Sequence, residues 1–238
     1  MLYFLKQPEK EDIPSFKLLT MGENVKRTSR IPPIMTLGGM SKKMAAKSSF
    51  IMQRIVPHKD DIILAGAAII KGKTNKMLGF LGKEETEGLN WLSGKGKGGI
   101  VEAIDKETKE MIIYEIKNIK SKMIPKVENG EISFDVKIES EGKLSEDWLV
   151  TSDAFDEKFI KRAEKTIEDE VMILVNKAIE KTQKEFKVDV SGFGKILSIK
   201  YPKVWEEVKD NWDETFSDVP INVDLKIYIR TFGKKGKK

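Results

Sequence analysis

Residues 153–186 hold the run FDEKFIKRAEKTIEDEVMILVNKAIEKTQKEF, which contains neither Gly nor Pro. Ile160, Ala163, Ile167, Val171, Leu174 and Ala178 recur there at spacings of three and four, which places them on one stripe of a helix. Glu157, Lys161, Glu164, Lys165 and Glu168 fall on the other sides. The spacing predicts one long helix with a core-facing stripe, N-capped by Ser152 or Asp153. At ~1.5 Å per residue it spans roughly 45 to 50 Å. From Met172 onward a second apolar side appears in Met172, Val175, Ile179 and Phe186, so the C-terminal half is expected to be covered from two directions. Truncating Leu174 on the stripe is expected to destabilise the fold, and truncating Glu164 to change it little.

A helix of this length needs a body to lie on, and 238 residues provide one large domain or one domain plus a fragment. Charged residues make up 34% of the chain and hydrophobic ones 39%, which sets it apart from both disordered and membrane-embedded sequences. No apolar run reaches the ~18 residues of a transmembrane helix; the longest, residues 62–70, reads as a buried strand. The net charge of +5 comes from interspersed residues, apart from the lysine-rich tail at 233–238 (GKKGKK). That tail suits an anionic membrane surface; with no recognised motif beside it, nucleic acid is not an expected partner. The absence of Cys excludes disulfides, thiolate metal sites and a Cys nucleophile. The opening MLYFLKQPEK lacks the pattern of a signal peptide.

Residues 1–60, broken by Pro8, Pro14, Pro32, Pro33 and Pro57, are expected to be loosely organised, with short strands at 34–37 and 50–56. A hairpin follows, formed by DIILAGAAII and KMLGFLG, and then a short helix at 84–92 whose leading glutamates suit the helix dipole. Strands are predicted at 100–104 and 111–123, with Pro125 closing the second, and at 132–138, entered through the turn ENG. Beyond the long helix, Phe193, Ile196 and Leu197 predict a further turn or two of helix. Pro202 then begins a helix carrying Val204, Val208, Trp212 and Phe216, with Trp205 beside them. Residues 221–229 alternate as a final strand. Strands early, helices late and a returning strand indicate an α+β fold: a mostly antiparallel sheet with one long helix and shorter C-terminal helices packed on one face. The aromatic helix at 202–216 is the expected second cover of the long one.

Chemistry-bearing motifs are weak. AAIIKGKT at 67–74 fits a permissive phosphate-loop pattern, but its would-be loop continues a strand and no helix follows. GKGKGG at 94–99 fits G-x-G-x-x-G, yet helix precedes it and strand follows, the reverse of a dinucleotide site, so it reads as a mobile connection. His58 is the only histidine, and with Asp60 and Asp61 it reads as a solvated turn. Glu84, Glu85 and Glu87, and Asp153, Asp156 and Glu157, cluster at helix starts, where carboxylates stabilise the dipole without catalysis. Trp205, Trp212 and Phe216 read as core. No catalytic, metal or cofactor residues are assigned, and no cofactor is expected.

The stretch VDVSGFGKILSIKYPKVWEEVKDNWDETF and the strand ending IRTFG resemble the C-terminal domain of the Ger(x)C family, the C subunits of spore nutrient germinant receptors. Asp189, Gly192, Phe193, Gly194, Tyr201, Pro202, Trp205, Trp212, Phe216 and Gly233 carry the resemblance. Glu85, Thr86, Gly88, Trp91 and Leu92 extend it to the hairpin and first helix. The resemblance implies a division into residues 1–60 as the end of a preceding domain, 61–232 as the C-terminal domain and 233–238 as a basic tail. It implies a non-enzymatic lipoprotein subunit acting as a scaffold with two membrane-embedded receptor subunits in germination. Such a subunit would sit on the outer face of the spore inner membrane, held by an N-terminal lipid anchor that this chain lacks; the chain as given would be soluble. The preceding domain of the family is also missing, as in a trimmed piece or a shortened gene product. The alternatives are a small-nutrient-binding module and, after it, an enzyme with an unrecognised carboxylate site.

Overall fold

The computed structural model describes residues 28–58, 61–145 and 156–231. Its strands form two sheets. In the first, β1 (Phe50–His58), β2 (Asp61–Lys71) and β3 (Lys76–Leu81) run antiparallel in that order. The second has the order β4 (Ile100–Ile104), β5 (Met111–Glu128), β6 (Glu131–Ser145) and β7 (Ile221–Thr231). Its first three strands are antiparallel, and β7 joins β6 in parallel. The β5–β6 hairpin closes through Asn129 and Gly130, both at positive φ, the backbone that a tight Asn-Gly hairpin turn requires.

β5 runs past Pro125 to Glu128, further than expected. β4 pairs only as far as Glu115, so β5 has a free edge beyond that point. Phe134, the register partner of Pro125, sends its N–H to Pro220 on the β7 side. Pro125 therefore faces the free edge, and its missing N–H breaks no ladder bond.

The long helix, α3 (Glu157–Glu180), continues into a π turn at Lys181–Glu185. Asp156 caps it by accepting from the Lys158 N–H at 3.0 Å; Ser152 and Asp153, the expected caps, lie outside the described residues. Ala163, Ile167, Val171, Leu174 and Ala178 are buried as the stripe predicts, joined by Phe159 and Val175. The helix lies against the large sheet and reaches both of its edge strands. Beside β4, Arg162 donates to Asp105 at 2.9 Å and Glu107 at 2.8 Å. Along β7, Glu168 accepts from Ile227 N–H at 3.2 Å and Glu164 from Ile229 N–H at 2.9 Å. Glu164 and Glu168 are thus half-buried caps on the free amides of an edge strand, not the solvated residues that the polar side of the stripe suggests.

The expected aromatic cover of α3 is a different element. α2 (Lys83–Ser93) is the helix packed most closely on α3, and a Cβ at Gly88 would overlap the Leu174 carbonyl oxygen, so the two backbones meet at that glycine. The C-terminal segment is divided into α4 (Phe193–Lys200), α5 (Pro202–Val208), a 3-10 turn (Lys209–Asn211) and α6 (Trp212–Phe216). These helices place Phe193, Trp212 and Phe216 over Phe134 of β6, with the Phe134 and Phe193 ring centroids 4.8 Å apart. They meet α3 at its π turn, where the Gln183 amide donates to the Phe216 and Val219 carbonyls, each at 2.8 Å.

The region before residue 60 contains more structure than its prolines suggest. Residues 32–36 are irregular, and the strand expected at 34–37 gives way to α1 (Leu37–Ala45), started by the Thr36 hydroxyl accepting from Gly39 N–H at 3.1 Å. β1 pairs along β2, with a register shift between Gln53 and Ile55.

Candidate functional site

The structure disperses the motifs that chemistry would need. Residues 67–71 are strand, and the turn after Lys71 leads into β3, so no helix receives a phosphate there. His58 and Asp61 are register partners closing the β1–β2 hairpin, and Asp60 lies outside the described residues. No group of three or more His, Cys, Asp or Glu able to hold a metal occurs among the described residues. Glu84 pairs with Lys177 at 2.6 Å, Glu157 is exposed, and Asp156 serves as a cap. Asp153 lies outside the described residues.

What the fold does bring together is built on α2, where every residue from Thr86 to Leu92 is buried. Two of them are strongly polar. The Glu87 carboxylate, 2% exposed, accepts from Ser29 Oγ at 2.5 Å and from Arg30 Nε at 3.1 Å. Asn90 Nδ2 donates to the Ser29 and Ile31 carbonyls at 2.7 and 2.8 Å. One helical turn thus grips both side chains and backbone of residues 29–31. A charge-assisted bond of this kind is worth about 1.5 to 3 kcal/mol, and leaving its buried partner unmet costs comparably. From sequence alone Glu87 reads as a helix-dipole carboxylate, and Asn90 draws no assignment. The available signal was their i, i+3 spacing, which sets both on one side of the helix.

The glycine-rich connection after α2 is packed, not mobile. Gly94 takes φ 66°, and a Cβ there would lie 2.9 Å from Ser121 N; one at Gly96 would lie 2.6 Å from Ile119 Cδ1, and one at Gly99 2.8 Å from Ser29 N. The strap therefore threads between the free edge of β5 and the incoming segment, and Ser121 Oγ donates to the Leu92 carbonyl at 2.6 Å. On the other flank of α2, Glu84, Glu85, Lys177, Glu180, Lys181, Lys184 and Glu185 line an open groove of about 540 Å³. Three of its lysines are paired, with Glu84 (2.6 Å), Glu185 (2.5 Å) and Asp218 (3.0 Å) respectively. Hydrogen bonding to Lys177 holds the Glu84 carboxyl below its ordinary range. A groove lined by mutually neutralising charges lacks the apolar wall and few convergent polar groups of a small-molecule pocket.

A second knot gathers residues quoted for the family resemblance. Asp189 is buried, and its carboxylate accepts from Gly192 N–H (2.7 Å), Gly194 N–H (2.7 Å) and Trp212 Nε1–H (3.0 Å). Gly192, at φ 96°, turns the chain so that both amides reach one carboxylate. Trp205 packs edge-on against Trp212 with ring centroids 5.5 Å apart. Among the described residues, Trp91 Nε1 is the buried side-chain polar atom left without a partner.

Comparison with known proteins places these features in a lineage. Residues 65–233 match the family described as spore germination B3/GerAC like, C-terminal. The chain is 43% identical to Spore germination protein YndF of Bacillus subtilis (strain 168) over 229 residues, covering 96% of this chain and 56% of that protein. To Spore germination protein B3 of the same organism it is 31% identical over 229 residues, covering 96% of this chain and 61% of that one. The crystal structure of the GerBC protein superposes with a TM-score of 0.75 at 31% identity, over 82% of this chain and 60% of that one. The chain thus spans about three fifths of the length of the relatives it matches.

Proposed function

Because the chain belongs to the spore germination B3/GerAC-like C-terminal family, the Ger(x)C family of germinant receptor C subunits, we propose that it acts in spore germination as a non-enzymatic scaffold subunit. Its partners are two membrane-embedded receptor subunits, and its place is the outer face of the spore inner membrane, held there by a lipid-bearing N-terminal segment. None of its described helices is long and apolar enough to cross a membrane, so on this reading attachment comes from such an anchor or from partners.

The observation that carries the scaffold reading is how the buried polar groups are used. Glu87, Asn90, Gln183 and Asp189 each bind one stretch of chain to another. Groups spent in this way hold elements in fixed relation, as a part that passes on position must. Deleting the gene in its spore-forming host, absent a redundant receptor, is expected to abolish germination in the cognate nutrient and to lower the level of the membrane subunits. Normal germination in that strain would overturn the proposal. Thermal-shift screening of the purified chain against amino acids, sugars and nucleosides is expected to show no saturable stabilisation; a clear one would move the function to nutrient binding.

A further inference from the structure

Residues 24–59 contain eight Lys and Arg and no Asp or Glu. The whole chain nets +5, so everything outside this stretch, taken together, is net acidic. α1 lies inside it, and none of the nine residues of α1 is buried. A helix so short is marginal by itself and ordinarily draws its stability from packing an apolar face. The apolar side of α1 is turned outward instead. Leu37, Ser41 and Met44 follow at i, i+4 and i+7 and so share one side. Leu37 is 80% exposed, Met44 37%, and Ile34, just before the helix, 59%. Lys42 and Lys43 flank that side in the last turn, and exposed Lys47 follows the helix. Among the described residues neither Lys42 nor Lys47 has an ion-pair partner. The body fixes this orientation. Lys47 turns the chain at φ 51°, and a Cβ at Gly72 would overlap Lys47 O and Ser48 C, so the backbone beyond α1 is pressed onto the β2–β3 turn. Ser49 Oγ then accepts from Gly72 N–H at 3.0 Å.

We propose that α1 is an interfacial helix that seats on an anionic phospholipid surface. Ile34, Leu37 and Met44 enter the headgroup boundary, and Lys42, Lys43 and Lys47 meet the phosphate oxygens around them. An apolar side rimmed by lysines is the pattern of a helix that lies in a membrane interface. The acid-free stretch adds no repulsion from anionic headgroups, and each lysine near such a surface contributes its attraction without needing a fixed partner geometry. The inference rests on the membrane placement proposed above and deepens it. Where a lipid-bearing segment holds the chain close, α1 determines which side of the body faces the bilayer.

The test uses the full 238-residue chain with its lysine-rich tail intact. Co-sedimentation is measured with phosphatidylglycerol/phosphatidylcholine vesicles and with phosphatidylcholine vesicles alone. The wild-type chain is expected to bind the anionic vesicles, and more weakly as sodium chloride rises. Lys42→Gln/Lys47→Gln is expected to weaken that binding about fivefold for each lysine removed, and Leu37→Gln/Met44→Gln roughly tenfold. All four positions are exposed, so thermal unfolding without lipid is expected to stay at the wild-type value. The chain has no Cys, so a single dye can be placed at will. Ser41→Cys carrying an environment-sensitive fluorophore is expected to shift to the blue on anionic vesicles, and Glu139→Cys on β6 is not. Wild-type binding in both double variants, or no blue shift at residue 41, would assign vesicle binding to the tail and overturn the proposal. Failure of the wild-type chain to bind anionic vesicles would also overturn it and leave this face to a protein partner. Normal germination of the deletion strain would remove the receptor reading while the vesicle result stands, so the two failures are distinguishable.

Discussion

The two sheets are held by different means. The four-stranded sheet and α3 enclose one large apolar core, from Trp91 and Val101 through Ile138 and Ile167 to Phe216 and Ile229. The three-stranded sheet rests on a small cluster of Ala67, Ile69, Leu81, Leu89, Ala178, Val188 and Val190, and it leaves Ile55, Met77, Leu78 and Phe80 exposed. What it lacks in apolar burial is supplied by polar clips. Ser49 Oγ accepts from Gly72 N–H at 3.0 Å, Gln53 Nε2 donates to the Pro32 carbonyl at 3.3 Å, and Glu87 and Asn90 hold residues 29–31. Apolar burial is non-directional and sums over many residues, whereas a polar clip depends on a few atoms. The first region is therefore expected to unfold as one unit, and the second to open locally.

That contrast can be broken at the large core first. Ile167→Ala is expected to cost about 2 to 5 kcal/mol of global stability in denaturant unfolding monitored by far-ultraviolet circular dichroism. Ile69→Ala, in a cluster that can collapse more readily, is expected to cost about 2 kcal/mol. Equal losses at the two sites with identical loss of amide protection throughout would show one cooperative unit and dissolve the contrast. Glu87→Ala is expected to cost about 1 to 3 kcal/mol. Hydrogen exchange should register that loss in residues 28–58 before it reaches β6.

Glu164→Ala sharpens the account of the large sheet, because it uncaps Ile229 on the β7 edge. The acceptor is half-buried and water replaces part of what is lost, so the expected cost is about 1 kcal/mol. The smallest effect is one of pH. Burial works to raise the Asp105 carboxyl, but the Glu107 N–H, Arg162 and the Thr108 hydroxyl outweigh it and hold it below the ordinary range. A depressed carboxylate contributes stability that is present above the unfolded value, about 3.9, and is lost as pH falls through the folded one. Asp105→Asn is expected to make the acid side of the stability profile shallower, and an unchanged slope would remove Asp105 from the β4 clasp on α3.

Local pattern, and through it much of the fold, was legible from the chain alone. Period 3.6 at 160–178 and period 2 at 221–229 mark a face whatever lies opposite, because the geometry of a helix or strand alone places those side chains together. The Asn129–Gly130 turn likewise depends only on its own backbone. A likeness spread over many residues also identified the lineage. Partnerships were not legible, because each depends on which surface arrives from elsewhere in the chain. Gly88 carries no sign that Leu174 will lie against it, and Glu164 looks solvated until β7 presents an unpaired amide. Glu87 resembles any early-helix carboxylate until Ser29 and Arg30 reach it across 58 and 57 residues. Sequence determined the faces of this protein, since periodicity is a local property. Tertiary structure decided what meets them, since a buried hydrogen bond or a close backbone approach exists only once both of its sides are in place.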